Sequence, residues 1–152
     1  MAIVYASEIA TPTVTIDTPY LAGQVVGGVI SFDLRPYATN GFIRQVTLID
    51  ENPTTMGPFD IYWFDATPSI VLDGGEYDPT VADLQKLIGI SHVLSSRYTN
   101  IGTHAFHYDD DLNYGFKTAK KSMYAYLVCT GGTPSYAATD DLSIKLGALI
   151  TD

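Results

Sequence analysis

The segment Leu142-Ser143-Ile144-Lys145-Leu146-Gly147-Ala148-Leu149-Ile150 changes character at almost every step. Successive side chains on a β-strand point to opposite faces. This period of two therefore predicts a strand with Leu142, Ile144, Leu146, Ala148 and Ile150 turned inward. Upstream, Ser122 to Thr130 puts Met123, Ala125, Leu127 and Cys129 on one face and Tyr124, Tyr126 and Val128 on the other. Between the two runs stands Gly131-Gly132-Thr133-Pro134, a dense turn signal. The two segments read as strands of a β protein, and the rest of the chain follows suit.

Toward the N-terminus, His104 to Asp109 is a short β segment. Asp60 to Ala66 is a stronger one (Ile61, Tyr62, Trp63, Phe64), closed by Thr67-Pro68. Phe42 to Asp50 carries Val46, Thr47, Leu48 and Ile49, and turns follow at Glu51-Asn52-Pro53 and Met56-Gly57-Pro58. From Gln24 to Asp33, alternate positions Val26, Gly28, Ile30 and Phe32 make an apolar face. Residues 1–20 hold Pro12 and Pro19 around the alternating Thr13-Val14-Thr15-Ile16-Asp17. Proline cannot donate to a ladder, so this stretch reads as an edge strand or an extended N-terminal arm.

One helix is predicted, over about residues 79–88. Asp78 is its N-cap, Pro79 its first position, and Val81, Leu84, Leu87 and Ile88 fall at helical spacing before Gly89. The expected architecture is mainly β, a single antiparallel β-sandwich or jelly-roll-like domain spanning residues 1–152. The short helix caps one edge or one end.

Composition narrows the chemistry. A chain of 152 residues and 16.5 kDa should fold to a surface of roughly 7,500 Å² and bury enough for a core without disulfides or metals. Charged residues are only 16% against 46% hydrophobic, which excludes an intrinsically disordered chain. Fourteen of the 17 acids are Asp, a residue of turns and caps rather than helix interiors. The net charge of −9 repels phosphate backbones and anionic headgroups, so neither nucleic acid nor membrane is an expected partner. No Lys or Arg precedes Arg35, so no secretory or transit signal is expected. Cys129 is the one cysteine and sits in an apolar run. It reads as a small buried hydrophobe in a protein made in the cytosol.

The densest polar cluster runs from His104 to Gly115. His104 and His107 are three apart, which on a strand sends the rings to opposite faces, so no metal site is expected from them. Asp109, Asp111 and Asn113 have the start of a calcium-loop spacing. The positions that should then be Gly and an acid are Tyr114 and Lys120, so the segment reads as a solvated turn. The chain lacks G-x-S-x-G, H-E-x-x-H, P-loop and G-x-G-x-x-G patterns. No catalytic residue, cofactor or metal is expected. Gly27-Gly28, Gly74-Gly75 and Gly131-Gly132 read as bulges or turns. Tyr124 and Tyr126 admit two readings: phenols on an outer contact face, or a second buried layer under a loop or the helix.

The stretches Asp78-Pro79-Thr80-Val81-Ala82-Asp83-Leu84-Gln85-Lys86-Leu87-Ile88-Gly89 and Gly132 to Gly147 resemble small structural proteins of tailed bacteriophages. These are the capsid decoration and head auxiliary proteins, and the likeness runs from about Gln24 to Asp152. The resemblance implies a virion component, made in the bacterial host cytoplasm, that stabilises the shell by protein–protein contact. Its implied partners are the major capsid protein, other virion proteins and further copies of itself. The candidate interface residues, Tyr124 and Tyr126, come from the face reading of their strand and not from the resemblance. It carries over no catalytic residue. The alternative is a fibre-type binding module for host surface glycan, for which Trp63, Tyr62 and outer tyrosines would be the platform.

Overall fold

A computed structural model describes residues 3–35, 40–53 and 56–151. Ten strands follow in chain order: β1 (Val4–Ala10), β2 (Val25–Asp33), β3 (Asn40–Asp50), β4 (Phe59–Phe64), β5 (Leu87–Val93), β6 (Thr99–Ile101), β7 (His104–Asp109), β8 (Tyr114–Lys117), β9 (Ser122–Cys129) and β10 (Leu142–Ile150). They form two sheets with antiparallel pairing throughout. The larger has the order β1-β10-β3-β7-β6, with β8 also paired to β3, and the smaller runs β2-β9-β4-β5. The sheets face one another across one apolar core, so the architecture is β-sandwich-like.

The alternation of β9 and β10 places that core. All five predicted inward residues of β10 are buried, as are Met123, Ala125, Leu127 and Cys129 of β9. Opposite them stand Val46 and Leu48 of β3, Ile61 and Trp63 of β4, and Ile30 and Phe32 of β2. The Trp63 indole is fully buried, with its ring centroid 5.7 Å from that of Phe32. Its N–H donates to the hydroxyl of Ser91 at 3.0 Å, so the polar tip is satisfied inside the core.

Gly27-Gly28 is a bulge. Val26 pairs with Leu127 and Ile30 with Ala125, so β2 spends extra residues against its partner. Both glycines have positive φ (79° and 70°), and the N–H of Gly27 donates to the Asp73 carboxylate at 2.6 Å. The bulge removes Gly28 from the simple inward alternation, while Val26, Ile30 and Phe32 remain buried.

The helix is shorter than its spacing predicts. It covers Val81–Leu84 only, and its N-cap is Thr80 rather than Asp78. The Thr80 hydroxyl accepts from the Asp83 N–H, and the Asp83 carboxylate accepts from the Thr80 N–H, a complete capping box. Leu87 and Ile88, counted above with the helix, begin β5, where Leu87 pairs with Phe64 and Gly89 with Trp63 and Ile88 falls at the register shift between them. Positions 81, 84, 87 and 88 satisfy a helical period, yet an open strand of the smaller sheet competes for the β-branched run Ile88-Gly89-Ile90. The pairing wins.

The N-terminal expectation also shifts in place. The edge strand is Val4–Ala10, paired with β10 from Val4↔Ile150 to Ala10↔Ile144. The segment around Thr13–Asp17 is extended and makes a single bridge, Ile16↔Tyr136.

Candidate functional site

The two candidate interface tyrosines lie on the outer face of the smaller sheet, and that face is covered. Tyr126 is 1% exposed and belongs to a second apolar layer with Val25, Phe64 and Val128. Tyr62, Val71, Tyr77 and Tyr124 pack around this layer. The covering element is the segment from Thr67 to Lys86. Tyr126 holds it directly: its hydroxyl donates to the Ser69 carbonyl and accepts from the Val71 N–H at 2.9 Å. The second-layer reading is therefore the one the structure bears out for Tyr126, which offers no surface to a partner. Tyr124 is half-buried and borders a cleft with Asp65, Thr67 and Lys120.

The cap is pinned at several further points. Asp83 accepts from the Ser69 N–H at 2.7 Å as well as from Thr80, and these donors hold its buried carboxyl down at about 2. Lys86 donates to the Thr67 carbonyl at 2.9 Å. Asp73 joins the cap to the N-terminal segment, accepting from the Thr15 hydroxyl, from the Tyr20 hydroxyl at 2.7 Å and from the bulge. On its outer side the same cap presents Ile70 at 73%, Leu72 at 75% and Val81 at 74% exposure, with Leu84 half-exposed. Val81 and Leu84 fall at the spacing of a buried helical stripe, which hides their exposure from a sequence reading, and Ile70 and Leu72 belong to no periodic run.

A second exposed feature crosses the open face of the larger sheet. The Tyr5 hydroxyl donates to Gln45 Oε1, and Gln45 Nε2 donates to the Tyr108 hydroxyl at 3.1 Å. Tyr5 and Tyr108 each keep about half their surface in solvent. Trp63 and Tyr62, the platform expected under the glycan-binding alternative, are not part of this row. Trp63 is core, and Tyr62 packs on Tyr77 with ring centroids 4.6 Å apart.

His104 and His107 point to opposite faces of β7, as their spacing on a strand requires. His104 is exposed, with Nδ1 2.7 Å from the Glu51 carbonyl, whereas His107 is buried. Asp109 accepts from the Asp111 N–H at 3.0 Å, a local turn, and Asn113 accepts from Arg44. Among the described residues no group of three or more His, Cys, Asp or Glu is arranged to hold a metal. Neither ring nitrogen of His107 has a hydrogen-bond partner, and the ring sits 6.3 Å from that of Tyr98 at the floor of a cleft with Arg97 and Asp109.

Burial pushes the imidazole pKa of His107 below its ordinary value, with the Asp109 charge and the nearby Arg97 backbone opposing and the Arg97 charge adding to the shift. Burial likewise pushes the carboxyl of Asp50 up to about 6, against the Asn52 N–H and with the charge of Asp141 adding. The two act in opposite directions. A histidine depressed in the fold loses stability as pH falls through the unfolded value near 6.5, because only the unfolded chain takes the proton. A carboxyl raised in the fold gains stability as pH falls through about 6 toward 4. Between pH 7 and 5, His107→Phe should therefore gain Tm relative to the wild type, and Asp50→Asn should lose its neutral-pH advantage. Thermal melts across this range check both, and parallel profiles would contradict the assigned burial.

Against this geometry, no protein-family model matches the chain and no characterised protein is significantly similar to it in sequence.

Proposed function

We propose that this chain is a structural component of a tailed-bacteriophage virion, a capsid decoration or head auxiliary protein that stabilises the shell by protein–protein contact. The observation that carries the reading is the outer edge of the larger sheet. β1 ends the strand order, so one side of its backbone faces away from the ladder. Around it, Ile3 is 64% and Ile9 64% exposed, and Val4 and Tyr5 are also exposed. Natural edges are kept from sticking by Lys, Pro or bulges. Val4–Ala10 carries none of these within its paired length, and Glu8 is its single charge. Such an edge suits a subunit that works against neighbours. The resemblance of segments 78–89 and 132–147 to head auxiliary proteins supplies the particle, and the partners are the major capsid protein, other virion proteins and further copies of the chain.

The test is direct. The purified protein should co-sediment saturably with expanded capsids of the phage that encodes it, and should be found in its virions by mass spectrometry. Failure on both counts overturns the proposal.

The Tyr5–Gln45–Tyr108 row favours a second reading, a fibre-type module that binds host surface glycan through aromatic stacking and amide hydrogen bonds. Saturable binding on a glycan array, lost in Tyr108→Ala, would replace the first reading with this one.

A further inference from the structure

We infer that the outer side of the cap, centred on Ile70, Leu72 and Val81, docks onto a different protein whose contact face is apolar and bordered by lysine or arginine. The inference rests on the virion reading above, in which that protein is the shell subunit. Three observations carry it.

The first is exposure without slack. Ile70 lies between Ser69 and Val71, whose backbone groups are both held by the buried Tyr126 hydroxyl, and Ser69 is also held by Asp83. The carbonyl of Leu72 accepts from the Gly75 N–H at 2.9 Å, and Gly74 and Gly75 bond the Val25 backbone. Large aliphatic side chains three-quarters in solvent on a segment fixed this firmly lose little conformational entropy when covered, which is how a docking face is built.

The second is extent. Asp73 ties the cap to residues 15–21 through Thr15 and Tyr20, and Ile16 and Leu21 of that segment are exposed. Exposed apolar side chains thus lie on both of the segments that Asp73 joins.

The third is charge. On residues 65–86 the acids Glu76 and Asp78 are exposed and Asp65 and Asp73 half-buried, against Lys86 alone, while Asp83 is buried beneath the cap; the whole chain is at −9. A second copy presenting the same face would set acid against acid, which opposes self-docking. A partner with a basic rim is complementary.

The experiment is co-sedimentation of the full chain with expanded capsids, using wild type, Ile70→Ser/Leu72→Ser, Val81→Asp, and Ile101→Ser on the far edge as control. The changed side chains are exposed, so each Tm should stay at the wild-type value. Each buried aliphatic is worth about tenfold in affinity, so the double variant should bind at least ~10-fold more weakly, with Val81→Asp weakened and Ile101→Ser unchanged. Wild-type binding should also fall from about 0.05 to 0.5 M salt. Wild type binding while both cap variants bind equally well overturns the cap inference and leaves the virion reading standing. Wild type failing to bind overturns this inference, and the virion reading falls with it if the protein is also absent from virions by mass spectrometry. Salt-independent binding, or cap variants that lose only self-association, overturns the basic-rimmed partner.

Discussion

Trp63→Ala is expected to lower the unfolding free energy by about 3–5 kcal/mol, the largest single effect in the molecule. Its cross-strand partners are Ala125 on β9 and Gly89 on β5, and the Tyr114 ring fills the space over Gly89, so the layer around the indole is closely packed. Truncation leaves a cavity whose walls belong to three paired strands, so collapse around it would disturb two registers at once. It also strands the Ser91 hydroxyl, 3% exposed, without its donor. A domain of this size has a total stability of about 5–15 kcal/mol, so the variant should be partly unfolded at physiological temperature. Urea unfolding followed by far-UV circular dichroism measures this without the single tryptophan. A loss of unfolding free energy under about 1 kcal/mol would place Trp63 outside the core.

Gly41→Ala should cost about 1–3 kcal/mol or more, through overpacking rather than a cavity. Gly41 stands where β3 pairs with β10 on one side and β8 on the other, opposite Ile150 and Phe116. A Cβ there would lie 2.3 Å from the Leu149 carbonyl oxygen and 3.0 Å from the Phe116 ring. The carbonyl is backbone in a ladder and cannot rotate away, so β10 itself must move. Gly115→Ala on β8 is the matched control, since its Cβ would meet only the Phe42 ring at 3.4 Å. Equal melting temperatures for the two variants would refute the assigned register.

These residues also mark how far the sequence could be read. The inward face of β10 was legible because each of its apolar positions answers to one core and one period. The lone Cys129 and the opposed histidines of β7 were legible for the same local reason. The helix boundary was not, since Leu87 and Ile88 fit a helix stripe locally and a strand of the smaller sheet globally. Tyr126 left two readings open. Its burial depends on the segment 67–86 folding back over β9, a long-range event that alternation within β9 cannot encode. The exposed faces of Ile70, Leu72 and Val81 were invisible for the complementary reason, because residue type alone places such side chains inside.

The placement of β10 between β1 and β3 has a consequence for biosynthesis. Both neighbours leave the ribosome well before the strand that must join them. About 90 residues separate Asp50 from Leu142, on the order of 5–20 s of translation at bacterial-to-eukaryotic rates. During that interval the larger sheet cannot close, and β1 and β3 wait with apolar faces uncovered. Closure then joins residues as distant in sequence as Val4 and Ile150, the kind of pairing that folds in milliseconds to seconds rather than microseconds. Expression at lowered temperature should therefore favour recovery of the protein by slowing association of chains whose larger sheet is not yet closed.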